Sequence, residues 1–506
     1  MPRLSKSRFQ TGLQCPKALW LGTNRPKLKD QVGENQQHIF DTGTTVGELA
    51  RERFPGGVLV TEDYTQSAQA LETTLRLLED PPDSIFEAAL EFGGVFVRPD
   101  VLVRESVREW DVYEVKSSTK LKDEHLTDLA IQTWVLEGAG LPIRRTYLMH
   151  LDNTYVYQGG AYDLSRLFAA EDVTPAVRDL LPDVGALVTE MLEMLEGPEP
   201  QVPIGRRCDR PYPCAFYGYC HASLPEHPVT QLPGIRAGLL DSLIADGILA
   251  VEDVPLDYPG LTETQRAVCE LLRSGQPRID GDIAASLAPL RYPIHFLDFE
   301  TINPALPLFP GTRPWQQVLF QWSDHVLRES GELEHREFLY DGADDPRPVL
   351  THALLEALGT EGSVVVYSGF EATRLRELAR DLPEYAEPLA ALQPRLFDLL
   401  RVVSAHVRHP DCLGSSSIKV VLPALVPELS YTDLEIAEGA IASLKYLDCL
   451  TGATTGPERD ATLSDLLAYC GRDTLAMVRV LQTLQASEGR TSSGSALCVL
   501  NQRVGG

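Results

Sequence analysis

The sequence lacks a long apolar run, an apolar leader and an excess of basic residues. No apolar run in its 506 residues approaches the length of a membrane span, and the start, Met-Pro-Arg-Leu-Ser-Lys-Ser, is not the apolar segment of a secretory signal. We therefore expect a cytoplasmic protein without a membrane partner. Lys and Arg number 45 against 72 Asp and Glu, so the net charge is -27. This charge argues against coating of nucleic acid through bulk electrostatics, but it allows an enzyme with acidic metal ligands and a local basic groove.

Cysteine is scarce, at 9 residues in the whole chain. In a reducing compartment these cysteines are not expected to pair as disulfides, and clustered cysteines there more often bind metal or react. Cys15 lies near the start in Gln-Cys-Pro-Lys, and three others cluster much later, at Cys208, Cys214 and Cys220. The scattered remainder are expected to be ordinary buried or free thiols: Cys269, Cys412, Cys449, Cys470 and Cys498.

Composition and residue patterning predict a soluble α/β protein of several domains. A hydrophobic content of 43% and a charged content of 23% are typical of soluble globular proteins, and the length allows about two or three domains. We predict a mixed α/β domain at 1–225, a helical connector at 226–290, a second α/β domain at 291–486 and a flexible tail at 487–506.

Apolar alternation and helical spacing predict individual elements in both domains. The expected strands are 95–103, 111–116, 294–299, 318–325, 335–340 and 364–367. The expected helices are 43–53, 123–138, 371–381 and 461–485.

Two acids interrupt an otherwise apolar run, His-Phe-Leu-Asp-Phe-Glu-Thr-Ile-Asn-Pro, that begins at His295. Residues two apart on a strand point to the same face, so Asp298 and Glu300 project side by side if this run is a strand. Like charges held that close repel each other. A divalent cation between them makes the arrangement favourable, because hard cations take carboxylate oxygens. The alternative is a half-exposed strand with two solvated acids.

Further acids follow in a specific order. Glu371 comes shortly after the expected strand at 364–367, in a position where active sites gather in α/β folds. Tyr469 and Asp473 lie four residues apart in a helical pattern, so their side chains share one face. This order resembles the DEDD family of 3′-to-5′ exonucleases, in the subtype whose last motif is Tyr-x-x-x-Asp, on a ribonuclease H-like fold.

The resemblance covers about 292–485 and implies a pair of metal ions, magnesium or manganese, that clamp the scissile phosphate. It also implies that Tyr469 orients the attacking water. Glu371 departs from the family, which usually has Asp there, and the extra methylene would shift one metal by about an ångström. The implied metal ligands are Asp298, Glu300, Glu371 and Asp473.

A second set of acids lies in the first domain. Asp100 ends a strand-like run, and Glu114 and Lys116 are two apart on the next run, so they share a strand face. The carboxylates of Asp100 and Glu114 can hold a cation, while Lys116 can orient or help deprotonate water and counter charge on a phosphate. The helix that follows carries, on one face, His125, Asp128 and Gln132.

This ordered set resembles the RecB-type nucleases of the PD-(D/E)xK superfamily, which have a restriction-endonuclease-like fold. The resemblance implies that Asp100 and Glu114 are metal ligands. It implies catalytic roles for Glu114, Lys116 and Gln132.

Two positions depart from the pattern of that superfamily. Its last motif usually has Tyr four residues after the Gln, whereas here Trp134 follows by two residues. Many members carry a His on the first helix, often followed by Glu. The His position here is Gly47, which leaves Glu48 as a candidate metal ligand.

The bracketing cysteines resemble the iron-sulfur site of CRISPR-associated RecB-like nucleases and of AddB. In those proteins a 4Fe-4S cluster pins the first and last parts of the domain together. The first clustered spacing is wider here than their usual Cys-x-x-Cys, and zinc is the rival occupant, because thiolates suit both. The implied ligands are Cys15, Cys208, Cys214 and Cys220.

The two resemblances together predict a metal-dependent nuclease with a RecB-like site and a DEDD-like site. DNA is the expected substrate, and RNA stays open because the DEDD family acts on both. The expected partners are DNA and a helicase or a repair or defence complex. The alternative is a nucleic-acid-binding scaffold of such a complex, in which one or both sites are inactive.

Overall fold

The computed structural model describes residues 3–63, 65–106 and 109–491 of the chain. The chain divides into two compact units, which are Met1–Leu224 with Pro304–Gln316 and Pro225–Asn303 with Gln317–Gly506. Each unit combines helices with β-sheet. This confirms the mixed α/β, multidomain class predicted from the sequence. Across the described ranges, no helix has both the length and the apolar character to cross a membrane.

The predicted connector and tail fall within these units as follows. The segment 226–290 belongs to the second unit. The tail predicted at 487–506 begins inside the last helix, and its residues 492–506, including Cys498, lie outside the described residues.

The first unit contains short strands and longer helices. Its strands are β1 (Leu4–Ser5), β2 (Val58–Leu59), β3 (Ser84–Phe86), β4 (Leu90–Phe92), β5 (Val95–Val97), β6 (Val101–Arg104), β7 (Trp110–Lys116), β8 (Ile143–Leu151) and β9 (Phe168–Asp172). Its helices are α1 (Lys6–Gln14), α2 (Pro16–Asn24), α3 (Glu34–Arg51), α4 (Ser67–Glu79), α5 (Asp123–Gly138), α6 (Leu164–Leu167), α7 (Thr174–Glu196) and α8 (Tyr217–His221).

One sheet of this unit has the strand order β2-β3-β6-β7-β8-β9. Strands β6 and β7 are antiparallel, with Val101 opposite Tyr113, whereas β7 and β8 run parallel. A parallel neighbour needs a crossover connection, and α5 is that crossover. Its apolar residues, such as Leu129 and Val135, are buried in one cluster with Val112 of β7. The polar face of α5 is thereby placed beside the last residues of β7.

A smaller sheet, β1-β5-β4, fixes the start of α1. Leu4 and Ser5 pair in parallel with Val95 and Phe96. The Ser5 side chain then accepts a hydrogen bond from the Arg8 backbone N–H at 3.3 Å, which caps α1. The first helical residue, Lys6, is therefore anchored by the sheet behind it.

Residues 304–316 pack on the first unit. Trp315 Nε1 donates to the Ser117 carbonyl oxygen at 2.6 Å, and the Tyr162 hydroxyl donates to the Pro307 carbonyl oxygen at 3.1 Å. Ala305 is buried in one apolar cluster with Met149. These contacts explain why a segment so far along the chain belongs to this unit.

The second unit contains one larger sheet and many helices. Its strands are β10 (Arg278–Ile279), β11 (Ile294–Ile302), β12 (Val318–Leu327), β13 (Leu333–Leu339), β14 (Ser363–Val366), β15 (Leu396–Asp398) and β16 (Val407–Arg408). Its helices are α9 (Ala237–Ala245), α10 (Glu263–Ser274), α11 (Ile283–Leu287), α12 (Arg347–Leu358), α13 (Phe370–Asp381), α14 (Ala386–Leu392), α15 (Leu399–His406), α16 (Ile418–Leu425), α17 (Gly439–Thr451) and α18 (Gly456–Thr491).

The larger sheet has the order β13-β12-β11-β14-β15, so β11 lies at its centre. Strands β13, β12 and β11 are antiparallel neighbours, whereas β14 and β15 run parallel to β11. Helix α18 is tied to the sheet where Gln321 Nε2 of β12 donates to the Leu466 carbonyl oxygen at 2.8 Å. The acid-bearing strand is thus covered by the long C-terminal helix.

The elements predicted from the sequence overlap those in the structure, with shifted bounds. The strand predicted at 294–299 extends to Ile302, and the helix predicted at 43–53 begins earlier, at Glu34. The β-rich run at 95–103 is split between β5 and β6. Pro99 stands at the break, and proline cannot donate a backbone hydrogen bond within a sheet.

Candidate functional site

Four carboxylates from three elements meet in the second unit. Asp298 and Glu300 lie on β11, Glu371 lies in the first turn of α13, and Asp473 lies on α18. Only 7% of Glu300, 3% of Glu371 and 9% of Asp473 is exposed, and Asp298 is half-buried. The structure therefore brings together all four residues that the sequence predicts as metal ligands in this domain.

The electrostatics of this carboxylate cluster are unfavourable in the absence of cations. Burial raises the pKa of Asp298 and Glu300 well above their ordinary values, and the charge of Asp473 adds to both effects. Burial also raises the pKa of Glu371 to about 7, and Glu371 Oε2 has no hydrogen-bond partner among the described residues. Buried like charges of this kind require protons or cations to neutralise them.

Asp473 differs from the other three carboxylates of the cluster because it accepts a hydrogen bond from a tyrosine. The Tyr431 hydroxyl donates to Asp473 Oδ1 at 2.5 Å. Burial raises the pKa of Asp473, and the hydrogen bond from Tyr431 opposes that shift. Tyr431 therefore favours the ionised form of Asp473, which is the form that binds a cation.

Tyr469 and Lys419 border the carboxylates. Lys419 of α16 donates from Nζ to the Tyr469 hydroxyl at 2.8 Å and to the Ala437 carbonyl oxygen at 2.7 Å. Burial and the charge of Asp473 hold the pKa of Tyr469 well above its ordinary value. Its phenol stays protonated at neutral pH, so Tyr469 is suited to orient a water molecule by hydrogen bonding rather than to remove its proton.

Cys470, predicted as an ordinary thiol, lies beside the same cluster. Its side chain is fully buried, and its Sγ is 3.7 Å from Asp298 Oδ2. One ligand atom each from Asp298, Glu300 and Cys470 lies within 4.8 Å of the other two, close enough for one metal ion to reach all three.

The residues predicted in the first unit also converge. Lys116 Nζ lies 2.6 Å from Glu114 Oε1, and Gln132 Nε2 donates to Glu114 Oε2 at 2.8 Å. Asp100 Oδ2 accepts from the Val115 backbone N–H at 2.6 Å, which holds Asp100 against β7. Glu114 and Gln132 are fully buried. The acid, Glu-x-Lys and Gln motifs therefore form one site.

Two residues outside the predicted set complete this site. Asp128 of α5 accepts from Lys116 Nζ at 2.7 Å. Lys6, the first residue of α1, places its Nζ 2.7 Å from Glu114 Oε1 and 3.7 Å from Asp128 Oδ2. Asp128 shares a helix face with Gln132 and could have been chosen on that signal. Lys6 precedes Glu114 by 108 positions and carries no spacing signal.

The three carboxylates beside Lys6 and Lys116 have different pKa values: that of Glu114 is lowered, and those of Asp100 and Asp128 are raised. Burial opposes ionisation of Glu114, but the charges of Lys116 and Lys6 outweigh it and hold the pKa of Glu114 well below its ordinary value. Burial and the charge of Glu114 raise the pKa of Asp100 to about 7 and also raise the pKa of Asp128. Glu114 is therefore ionised at neutral pH, whereas Asp100 is divided between its protonated and ionised forms near pH 7.

Glu48 and Trp134 lie on different elements from the converging acids or on a different helix face. Glu48 is exposed on α3, and its role as a metal ligand stays a prediction. Trp134 packs edge-on against Phe92, with ring centroids 4.9 Å apart. Residues two apart on a helix face different directions, so Trp134 turns into the apolar core while Gln132 turns toward Glu114.

The four predicted cysteines line one pocket of the first unit. Cys15 lies between α1 and α2, while Cys208, Cys214 and Cys220 come from the loop and helix after α7. Gln14 Nε2 donates to two carbonyl oxygens of that loop, each at 2.7 Å. Burial raises the pKa of the thiols of Cys208 and Cys220, and raises that of Cys214 to about 11.

Sequence reasoning missed Lys6, Lys419 and Tyr431. Lys419 stands alone on α16, and Tyr431 lies in the loop before α17. A single polar residue at a position far from its partners has no periodicity or motif to mark it, so only the folded chain reveals its role.

The chain is similar to proteins that have names without a stated function. A family model described as a domain of unknown function (DUF2779) matches residues 295–417. This range includes Asp298, Glu300 and Glu371 but not Tyr469 or Asp473.

A curated relative is "Uncharacterized protein UU173" of Ureaplasma parvum serovar 3 (strain ATCC 700970). It is 26% identical over 258 residues, which cover 46% of this chain and 37% of the relative. The chain thus matches little more than a third of that protein's length. A solved structure described as "Crystal structure of SSO0001" has 13% identity and a TM-score of 0.23, with 44% of this chain and 87% of that chain covered.

Proposed function

We propose that this chain is a metal-dependent nuclease with two hydrolytic centres, one in each unit. The observation that carries the proposal is the convergence of four carboxylates from three separate elements: the half-buried Asp298 and the buried Glu300, Glu371 and Asp473. Oxygen ligands of this number suit hard divalent ions such as Mg²⁺ or Mn²⁺. Metal ions held in pairs by carboxylates are a common device for cleaving phosphodiesters.

In the second unit, the centre is of the DEDD type on a ribonuclease H-like domain. The position of the first acidic motif on the central strand β11, with the last motif on the overlying α18, supports this proposal. Bound divalent ions would neutralise the phosphate and lower the pKa of a water. Tyr469 orients that water through its hydroxyl, and Lys419 holds Tyr469 in place.

In the first unit, the centre is of the RecB-like PD-(D/E)xK type. Asp100 and Glu114 offer carboxylate oxygens to a cation, and Gln132 fixes Glu114 by its 2.8 Å hydrogen bond. Lys116 remains charged, because the charge of Glu114 raises its pKa against the opposing effect of burial. Lys116 therefore orients a water molecule or a phosphate oxygen. Because it is already protonated, it does not accept the proton of the water.

The cysteine pocket is the place we propose for a 4Fe-4S cluster, with zinc as the rival occupant, because thiolates suit both. Lys17 and Arg207 also line the pocket, and their positive charges would offset the negative charge of a thiolate-bound cluster.

The second candidate function is a nucleic-acid-binding scaffold of a repair or defence complex. The observation that favours it is Glu371, whose longer side chain replaces the Asp usual in the DEDD family and leaves Oε2 without a partner in the described structure. A displaced ligand at this position would weaken catalysis more than metal binding.

Cleavage assays on the full-length protein separate the two functions. End-labelled single- and double-stranded DNA and RNA are incubated with Mn²⁺ and wild type, Asp298→Asn, Glu114→Gln or the double variant. We expect each single variant to lose part of the cleavage and the double variant to lose all of it, with DNA cut in preference to RNA. Asp460→Asn on α18 and Asp123→Asn on α5 are matched controls, because both residues are exposed on the same helices as site residues.

The outcomes of this assay are distinct. Cleavage that survives in the double variant contradicts both site assignments. Tight binding of labelled DNA without any cleavage by the wild type supports the scaffold function instead.

A further inference from the structure

Lys6 brings a second positive charge into the centre of the first unit. Its Nζ lies 2.7 Å from Glu114 Oε1 and 3.7 Å from Asp128 Oδ2. The same Glu114 oxygen also accepts from Lys116 at 2.6 Å. Three-quarters of the Lys6 side chain is buried, since 26% is exposed. A lysine held this closely by two carboxylates is part of the site rather than a solvated surface charge.

The hydrogen bonds to Glu114 leave little room for metal ions. Oε1 accepts from two lysines, and Oε2 accepts from Gln132 at 2.8 Å. Each carboxylate oxygen offers about two acceptor positions, so the position that stays open on Glu114 is on Oε2. Asp100 uses Oδ2 to accept from the Val115 N–H at 2.6 Å, and among the described residues no hydrogen bond is formed to its Oδ1. Asp100 and Glu114 can therefore each offer an oxygen to one shared ion.

Lys6 occupies the position between Glu114 and Asp128 where a second ion would bridge these two carboxylates. Its Nζ contacts Glu114 Oε1 and Asp128 Oδ2. Asp128 Oδ1 has no hydrogen-bond partner among the described residues, so it stays available as a ligand once the ammonium is removed. The anchoring of α1 by β1 and by the Ser5 cap keeps Lys6 at this place. A positive charge there repels a divalent ion.

We propose that the Lys6 ammonium takes the place of a second divalent ion at this centre, which therefore binds a single divalent ion. The inference rests on the proposed nuclease function and specifies how that centre is charged. In hydrolysis the oxygen of water bonds to phosphorus, the ester P–O bond breaks, and the departing oxygen ends with the proton of the water. Lys6 stabilises the negative charge on the phosphate oxygens during this step by donating hydrogen bonds, and it remains protonated throughout.

Counting Mn²⁺ ions tests this inference without relying on activity. The parent protein is the full-length chain with Asp298→Asn and Asp473→Asn, which remove metal binding by the second unit. It is titrated with Mn²⁺, and the free ion is measured by electron paramagnetic resonance. We expect the parent and its Lys6→Arg variant to bind one ion. We expect Lys6→Met to bind a second ion, because the site of the ammonium becomes free while the carboxylates remain. Glu114→Gln in the same parent is the control that removes binding at this centre.

Two results would overturn the inference. The first is the binding of two ions at this centre by the parent, in which Lys6 is still present. The other is a folded Lys6→Met, judged by circular dichroism, that binds one ion with the affinity of the parent. Failure of the nuclease proposal can be told apart from failure of this inference. If the nuclease proposal fails, wild type cuts no substrate. A change from one bound ion to two in Lys6→Met still supports the role of Lys6.

Discussion

Replacing Glu371 with Gln should make the metal-free protein less sensitive to rising pH. Burial raises the pKa of Glu371 from 4.5 to about 7. The folded state therefore keeps the proton over a pH range in which the unfolded state releases it. The stabilisation from this group is complete below pH 4.5 and is lost as the pH rises through about 7. Glutamine resembles the protonated carboxyl group and has no proton to lose.

The size of the effect follows from the two pKa values. Each pH unit between them changes the free energy of unfolding by about 1.4 kcal/mol for one proton. The total for Glu371 is therefore about 3 kcal/mol. Glu371 is 3% exposed, so solvent screening reduces this figure little. Because the charge of Asp473 also acts on Glu371, the Gln variant should lower the pKa of its neighbours as well.

Urea denaturation at pH 5 and pH 8 measures this difference in buffer stripped of divalent ions. Wild type should lose about 2.5 kcal/mol more than Glu371→Gln between these values in the transition of the second unit, because part of the total is already lost at pH 5. Mn²⁺ at pH 8 should restore wild type more than the variant, because the ion replaces the proton as the neutralising charge. Glu387→Gln, an exposed change on α14, should follow wild type.

One result would refute the reasoning. If wild type and Glu371→Gln lose the same stability between pH 5 and pH 8, the carboxyl group of Glu371 is solvated in the folded state, and the tight carboxylate cluster does not exist.

Other predictions concern single residues at the three sites. Tyr469→Phe, in a Glu114→Gln background, should slow cleavage by about 100-fold with unchanged Mn²⁺ affinity, and a matching loss of affinity would contradict the orienting role. Gln132→Met removes the donor to Glu114 Oε2 and should cost about 1–3 kcal/mol in urea denaturation, whereas a cost near zero would mean that the bond is not formed. Cys15→Ser should abolish bound iron and visible absorption in protein purified without oxygen, and a colourless wild type loaded with zinc would contradict the cluster.

Local patterning predicted much of the architecture of this protein. Apolar alternation placed strands at 294–299 and 111–116, and helical spacing placed 123–138, because side-chain direction along a strand or helix depends on positions close in the chain. The same logic put Glu114 and Lys116 on one strand face. The structure brings these pairs together because their geometry is set locally.

Residue types alone determined less about the sites. The sequence marked Glu48 as a candidate ligand because of its place in a motif, and this stays a prediction for a residue that is exposed on α3. It marked Cys470 as a buried or free thiol, which is confirmed, but it did not predict that the Sγ lies 3.7 Å from Asp298 Oδ2. Motif position does not specify which residues a side chain meets after the elements pack.

The sequence by itself determined the order of elements and the acids that could hold cations, since both depend on local spacing. Only the tertiary structure decided which cations accompany those acids. Lys6 reaches Glu114 across 108 positions, and Lys419 reaches Tyr469 across 50. These long-range contacts also decide the charge states, because Glu114 beside two lysines has a lowered pKa while Asp100 has a raised one. A pKa depends on burial and neighbouring charge, and neither exists until the chain has folded.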